Sequence, residues 1–243
     1  MGPYTIHYLF EDSLSTGFIE GLVKSCIEFG CTTSETGATD TCSYSSERSG
    51  INTNYDVPVD TAVSDIDESS YGHISLYYEG FRVQLEKNLT APSVPDSPHI
   101  GLTVDLGREY QLSESDERLQ GKRQRLDDLL QLAVRVAEET DPTYGYGIFE
   151  PDSAEPAFGY ADTENLREGI VENLSWFNLF NKQMVERIGY WLLADAQDAA
   201  HAWRAIELST GGIVIVPTDS PVRPTEGWRG NRERLAEHLG IPT

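Results

Sequence analysis

Apolar and polar side chains alternate from Tyr4 to Tyr8 and two further apolar residues follow to Phe10, a stretch that reads as a strand. The period then lengthens. Phe18, Leu22, Val23, Cys26 and Ile27 fall on one face of a helix that would start after a cap at Ser13 or Ser15 and run to about Phe29. Between Thr32 and Ser70 the chain is rich in Ser, Thr, Asp and Glu and sustains no period, so it predicts a polar, mobile insertion at 32–70. Within it, Val57, Val59 and Val63 leave room for a short edge strand.

Strand signals return in GHISLYYEGFRVQLEKN, with a turn at Glu79-Gly80, and in PHIGLTVDLG. Leu126, Leu129, Leu130, Ala133, Val134 and Ala137 define the apolar face of an amphipathic helix. In TYGYGIFE a strand is expected, with Gly145 and Gly147 making room for a close neighbour. LSWFNLFN reads as a strand or an irregular buried segment, and Met184, Val185, Ile188, Trp191 and Leu192 repeat at helical spacing as a core stripe. The glycine pair of LSTGGIVIVPT precedes a β-branched run rather than following a strand into a helix, which is the reverse of a phosphate-binding loop. A hairpin turn is the expectation there, followed by a last helix carrying Leu235 and Leu239. Together these elements predict a single α+β domain over residues 1–243, with a mixed, largely antiparallel sheet and helices packed mainly on one side.

Charge changes the picture. Forty acidic residues stand against eighteen basic ones, a formal net charge of -22, and only four of the basic residues are lysines. Such a chain repels itself in dilute buffer, and salt at about 1 M screens that repulsion beyond roughly 3 Å. A halophilic, high-salt cytoplasm is therefore the expected setting, and nucleic acid is an unfavourable partner. The N-terminus lacks the basic-then-apolar layout of a signal peptide, and no window approaches the length of a membrane span, so no membrane partner is expected. Cys26, Cys31 and Cys42 lack zinc-knuckle spacing; Cys26 lies on a helical apolar face, whereas Cys42, in polar sequence, reads as an exposed thiol.

Candidate chemistry is sparse. There is no nucleophile elbow, no HExxH and no calcium-loop pattern, and Asp65 and Asp67 have DxD spacing only within the polar segment. No cofactor or metal is expected. The five histidines are scattered, with His73 and His99 at strand starts as the best places for an unrecognised His/carboxylate enzyme site. Aromatic residues crowd the second half instead. Tyr144, Tyr146, Trp176 and Trp203 are the candidate hot spots for a protein partner.

The aromatic-Asn-Leu element Trp176-Phe177-Asn178-Leu179-Phe180 is followed by a helix with Gly189, Leu192 and Leu193, then by the Gly211-Gly212 hairpin and Pro221. With the strand, long helix and glycine-aromatic strand expected over residues 99–149, this order resembles the immunity proteins of polymorphic-toxin and type VI secretion systems. The resemblance covers residues 75–240 and implies an α+β protein without a cofactor that binds and blocks a cognate toxin. No toxin-contacting residue is carried over, and the segment 32–70 departs from the pattern.

Overall fold

A computed structural model describes residues 4–50, 52–88, 98–104, 116–149, 171, 174–219 and 226–241. Among the described residues ten strands run as β1 (Tyr4–Leu9), β2 (Thr41–Ser46), β3 (Asn54–Pro58), β4 (Tyr71–Tyr78), β5 (Phe81–Asn88), β6 (His99–Val104), β7 (Tyr144–Phe149), β8 (Asn178–Phe180), β9 (Arg204–Glu207) and β10 (Ile213–Val216). The helices are α1 (Phe18–Glu28), α2 (Val59–Asp67), α3 (Asp116–Thr140), α4 (Lys182–Ile188), α5 (Tyr190–Ala194), α6 (Ala196–Ala199) and α7 (Glu226–Leu239). All ten strands join one sheet in the order β3-β2-β4-β5-β6-β1-β7-β8-β10-β9. Every pairing is antiparallel, so the fold is α+β.

Alternation along each strand sorts the core into two layers. Tyr4, Ile6 and Tyr8 of β1, Leu179 of β8 and Val214 and Val216 of β10 face α1, α2 and α3. Their neighbours Leu9, Phe180, Ile213 and Ile215 face the other way, into a smaller cluster with Met184, Leu193, Ala196, Leu235 and Leu239 of α4 to α7. The three N-terminal helices therefore share one side, as expected, and the C-terminal helices add a layer over the opposite face near β8 and β10. Gly147 serves the close approach read from sequence: a Cβ there would fall on the Tyr4 hydroxyl and 3.0 Å from Phe177 Cβ. The Gly-Gly turn is a hairpin joining β9 to β10, with Gly211 at φ 89°.

The segment 32–70 is the main correction. It supplies β2, β3 and α2, and Cys42, Tyr44, Ala62, Val63 and Ile66 are buried in the larger core cluster. Val57 does lie on an edge strand, but Val59 and Val63 belong to α2. Small residues explain the misreading: Thr41-Cys42-Ser43-Tyr44-Ser45-Ser46 alternates in burial only as far as Tyr44, and its buried Ser45 and Ser46 give little hydrophobic contrast. The segment also stabilises its surroundings. Helix α1 begins at Gly17 without a side-chain cap of its own, and Asp67 supplies one from α2, its carboxylate accepting from the backbone N–H groups of Ile19 (3.0 Å) and Glu20 (3.4 Å). A carboxylate at a helix N-terminus satisfies orphan donors and opposes the helix dipole. Lys87, buried under α2, donates Nζ to the carbonyls of Ile66 (3.2 Å) and Asp67 (2.7 Å), the matching arrangement at a C-terminus. Asp65 accepts from the Tyr44 hydroxyl at 2.7 Å, so both members of the DxD spacing have structural partners.

Cys42 is likewise not an exposed thiol. It is buried, and burial pushes its pKa up to about 11, which disfavours the reactive thiolate. Cys26 and Cys31 are free and buried as well.

Candidate functional site

The structure separates the aromatic residues of the second half into core and surface. Tyr144, Tyr146 and Trp176 are buried, at 3%, 3% and 2% exposure. Trp176 meets Tyr4 edge-on at 5.3 Å and donates Nε1–H to the Thr218 carbonyl at 2.8 Å. Tyr144 and Tyr146 stack on each other, and burial holds the Tyr144 phenol well above its ordinary pKa. Trp203 is half-buried between Trp176 and the Arg204 guanidinium, which lies 4.4 Å from its ring centroid and pairs with Asp127. In this fold three of these four rings present no face to a partner.

The exposed aromatic surface lies elsewhere. Gly189, at φ 111° and ψ 115°, ends α4 and redirects the chain into α5. That break rotates the expected core stripe out of register. Leu193 becomes the buried anchor of α5, while Tyr190, Trp191 and Leu192 stand 40%, 79% and 40% exposed. Trp191 and Leu192 were expected in the core, and the correction follows from reading one helix through a glycine that takes a left-handed φ. Tyr190 is held in place because its hydroxyl donates to the Glu207 carboxylate at 2.6 Å, and His238 Nε2 lies 2.9 Å from the Leu192 carbonyl. Hydrogen bonding to Glu207 is also the main reason the Tyr190 pKa is raised.

A second constellation crosses the sheet face opposite α1 to α3. Strand register places Ser45, His73, Glu86, Gly101, His7, Tyr146 and Asn178 in one continuous row. His7 stacks on Tyr146 at 5.1 Å between centroids and lies 5.5 Å from His99, two residues along β6 from Gly101. Gly101 carries no side chain, and the Glu86 carboxylate lies across it. Neither ring nitrogen of His7 has a hydrogen-bond partner among the described residues, nor does Nδ1 of His73. Burial, then the neighbouring His99, lowers the His7 pKa to about 3, so the ring is neutral at physiological pH. Burial, then Arg82, lowers that of His73.

The two histidines singled out from sequence thus lie on one face. His99 meets His7, and His73 lies opposite Glu86. A neutral imidazole is the form a general base needs, but His7 is only 6% exposed. Among the described residues no group of three or more His, Cys, Asp or Glu is placed to hold a metal ion. No described helix is long and apolar enough to cross a membrane.

No protein-family model matches the chain, and no curated protein matches it by sequence. Its fold is similar to that of the Pseudomonas aeruginosa T6SS protein PA0821, with a TM-score of 0.61 and 16% sequence identity over 99% of this chain and 74% of the other.

Proposed function

We propose that this chain is a secretion-system-associated binding protein of the immunity type, which neutralises a cognate toxin by occluding it without catalysis. The observation that carries the reading is the likeness of fold to a T6SS protein over 99% of the chain. An exposed Tyr190-Trp191-Leu192 surface supports it, because aromatic side chains on a folded surface are the usual anchors of protein recognition. Co-expression with toxin-like reading frames adjacent to its gene is the test. Restored growth with one of them is the expected result, and failure against every adjacent candidate overturns the reading. The alternative, an enzyme, draws on the convergence of His7, His99 and Tyr146, but their burial weighs against access by a substrate.

The same proposal places the protein in a salt-rich cytoplasm. Carboxylate repulsion is greater in the compact state than in the expanded chain, so potassium chloride raised from dilute buffer to about 1 M is expected to raise the melting temperature. Replacing the exposed acids Glu28, Glu35 and Asp40 by the matching amides is expected to flatten that rise. A melting temperature level across the titration would remove the salt-adapted setting and leave the binding role standing.

A further inference from the structure

We infer that the Tyr190-Trp191-Leu192 face of α5 docks a basic protein surface, with the Trp191 indole seated in an apolar pocket rimmed by Lys or Arg side chains. The inference rests on the reading of the chain as a protein-binding factor and names the surface and partner chemistry that reading leaves open.

Three consecutive large apolar side chains are exposed on a five-residue helix whose burial is carried by Leu193. Their exposure does nothing for the core. Trp191 at 79% is the most exposed large apolar side chain among the described residues, and two partly exposed neighbours extend it into a patch. Tyr55, at 69%, is the contrasting case: it stands on β3, at the far edge of the sheet from β9, as a single exposed ring. Scattered apolar side chains are ordinary on protein surfaces, whereas contiguous ones mark contact sites.

Charge selects the occupant. Glu186, Asp195, Asp198 and Glu207 are exposed on α4, the α5–α6 junction, α6 and β9, and Glu207 holds the Tyr190 hydroxyl. Lys182 and Arg187 are the exposed cations on the same helices, and α7, which packs on α5, adds exposed Glu233 and Glu237 against Arg234, so six exposed carboxylates stand against three exposed cations among the described residues of these elements. The whole chain carries a formal net charge of -22. A second copy, an anionic lipid surface and a nucleic acid would each bring like charge to this face, which costs association free energy. A basic protein surface brings the opposite sign, and Trp191 can take a cation over its ring as well as bury its edge. In concentrated salt the pairs in direct contact remain, while longer-range attraction is screened.

The test uses the full chain in its own cells, with photoreactive benzoylphenylalanine in place of Trp191, or of Tyr55 as the control, and adducts identified by mass. An adduct from position 191 with one protein of net positive charge, and none from position 55, is the expected result. With that protein purified, Trp191→Ala is expected to weaken binding about 30-fold and Tyr55→Ala less than about 2-fold. Raising potassium chloride from about 0.05 M to about 0.5 M should weaken the wild-type complex further. Both side chains are exposed, so unchanged melting temperatures will show that the variants fold. No adduct at 191, an adduct with a second copy or with an acidic protein, or equal affinity of wild type and Trp191→Ala overturns the assignment. Failures of the two readings are distinguishable. A basic partner that is not toxic leaves the surface standing and removes the immunity role; toxin rescue that survives Trp191→Ala and Trp191→Glu does the reverse.

Discussion

Trp176→Ala is expected to lower the unfolding free energy by about 3–5 kcal/mol, the usual cost of emptying a buried indole site. The indole is 2% exposed, meets Tyr4 edge-on, stacks on Trp203 and donates to the Thr218 carbonyl. Truncation would remove all of these contacts and leave a cavity beside Tyr4 of β1, Trp203 and the Thr218 carbonyl. For a chain of this size the loss corresponds to a melting temperature lower by roughly 10 °C. Trp191→Ala should change stability by less than about 0.5 kcal/mol, because that ring is largely in solvent. Urea unfolding of both variants separates two roles that the sequence presents alike. An unchanged midpoint for Trp176→Ala would show that the second-half aromatics are not divided into core and surface as described.

How well each element could be read from sequence depended on whether its signal was local. The β9–β10 hairpin announces itself because the Gly211-Gly212 turn and the run Ile213 to Val216 lie together in the chain. The turn at Glu79-Gly80 has the same advantage, with both residues at positive φ between β4 and β5. Helix α3 shows a sustained apolar face from Leu126 to Ala137. Helix α2 has the same kind of face in Ala62, Val63 and Ile66, but it spans nine residues among acids, and Val59 continues the strand spacing of Val57 on β3. Its stability comes from outside its own sequence, through Lys87 at its C-terminus and packing on α1. Gly189 was visible, yet a helix often tolerates one glycine; its φ of 111° is what turns Trp191 outward. The row through His7, Glu86 and Tyr146 had no local signal, since only strand order and register bring those positions together.

That row makes acid stability the second large expectation. His7 has a pKa of about 3 in the folded chain against 6.5 for a free imidazole, chiefly because burial penalises its charged form. Between those values the unfolded chain takes up a proton that the folded chain refuses. The contribution of a neutral His7 is therefore fully present above pH 6.5 and is lost as pH falls toward 3. Integrated from neutral pH to about pH 4, the loss is about 3 kcal/mol. The groups facing the ring do not reverse the sign. His99 disfavours a second positive charge, Tyr146 stacks on the ring, and Glu86 lies beyond Gly101 without a hydrogen bond to either nitrogen of His7. Acid also relieves repulsion among the forty carboxylates, which raises stability over part of the same range. Comparing wild type with His7→Leu removes that common background, because both chains carry the same acids. Wild type should lose about 3 kcal/mol relative to the variant between pH 7 and about pH 4, measured by urea unfolding at each pH. Parallel curves would mean that His7 protonates as readily in the fold as out of it, and that the polar row is open to water rather than sealed within the sheet face.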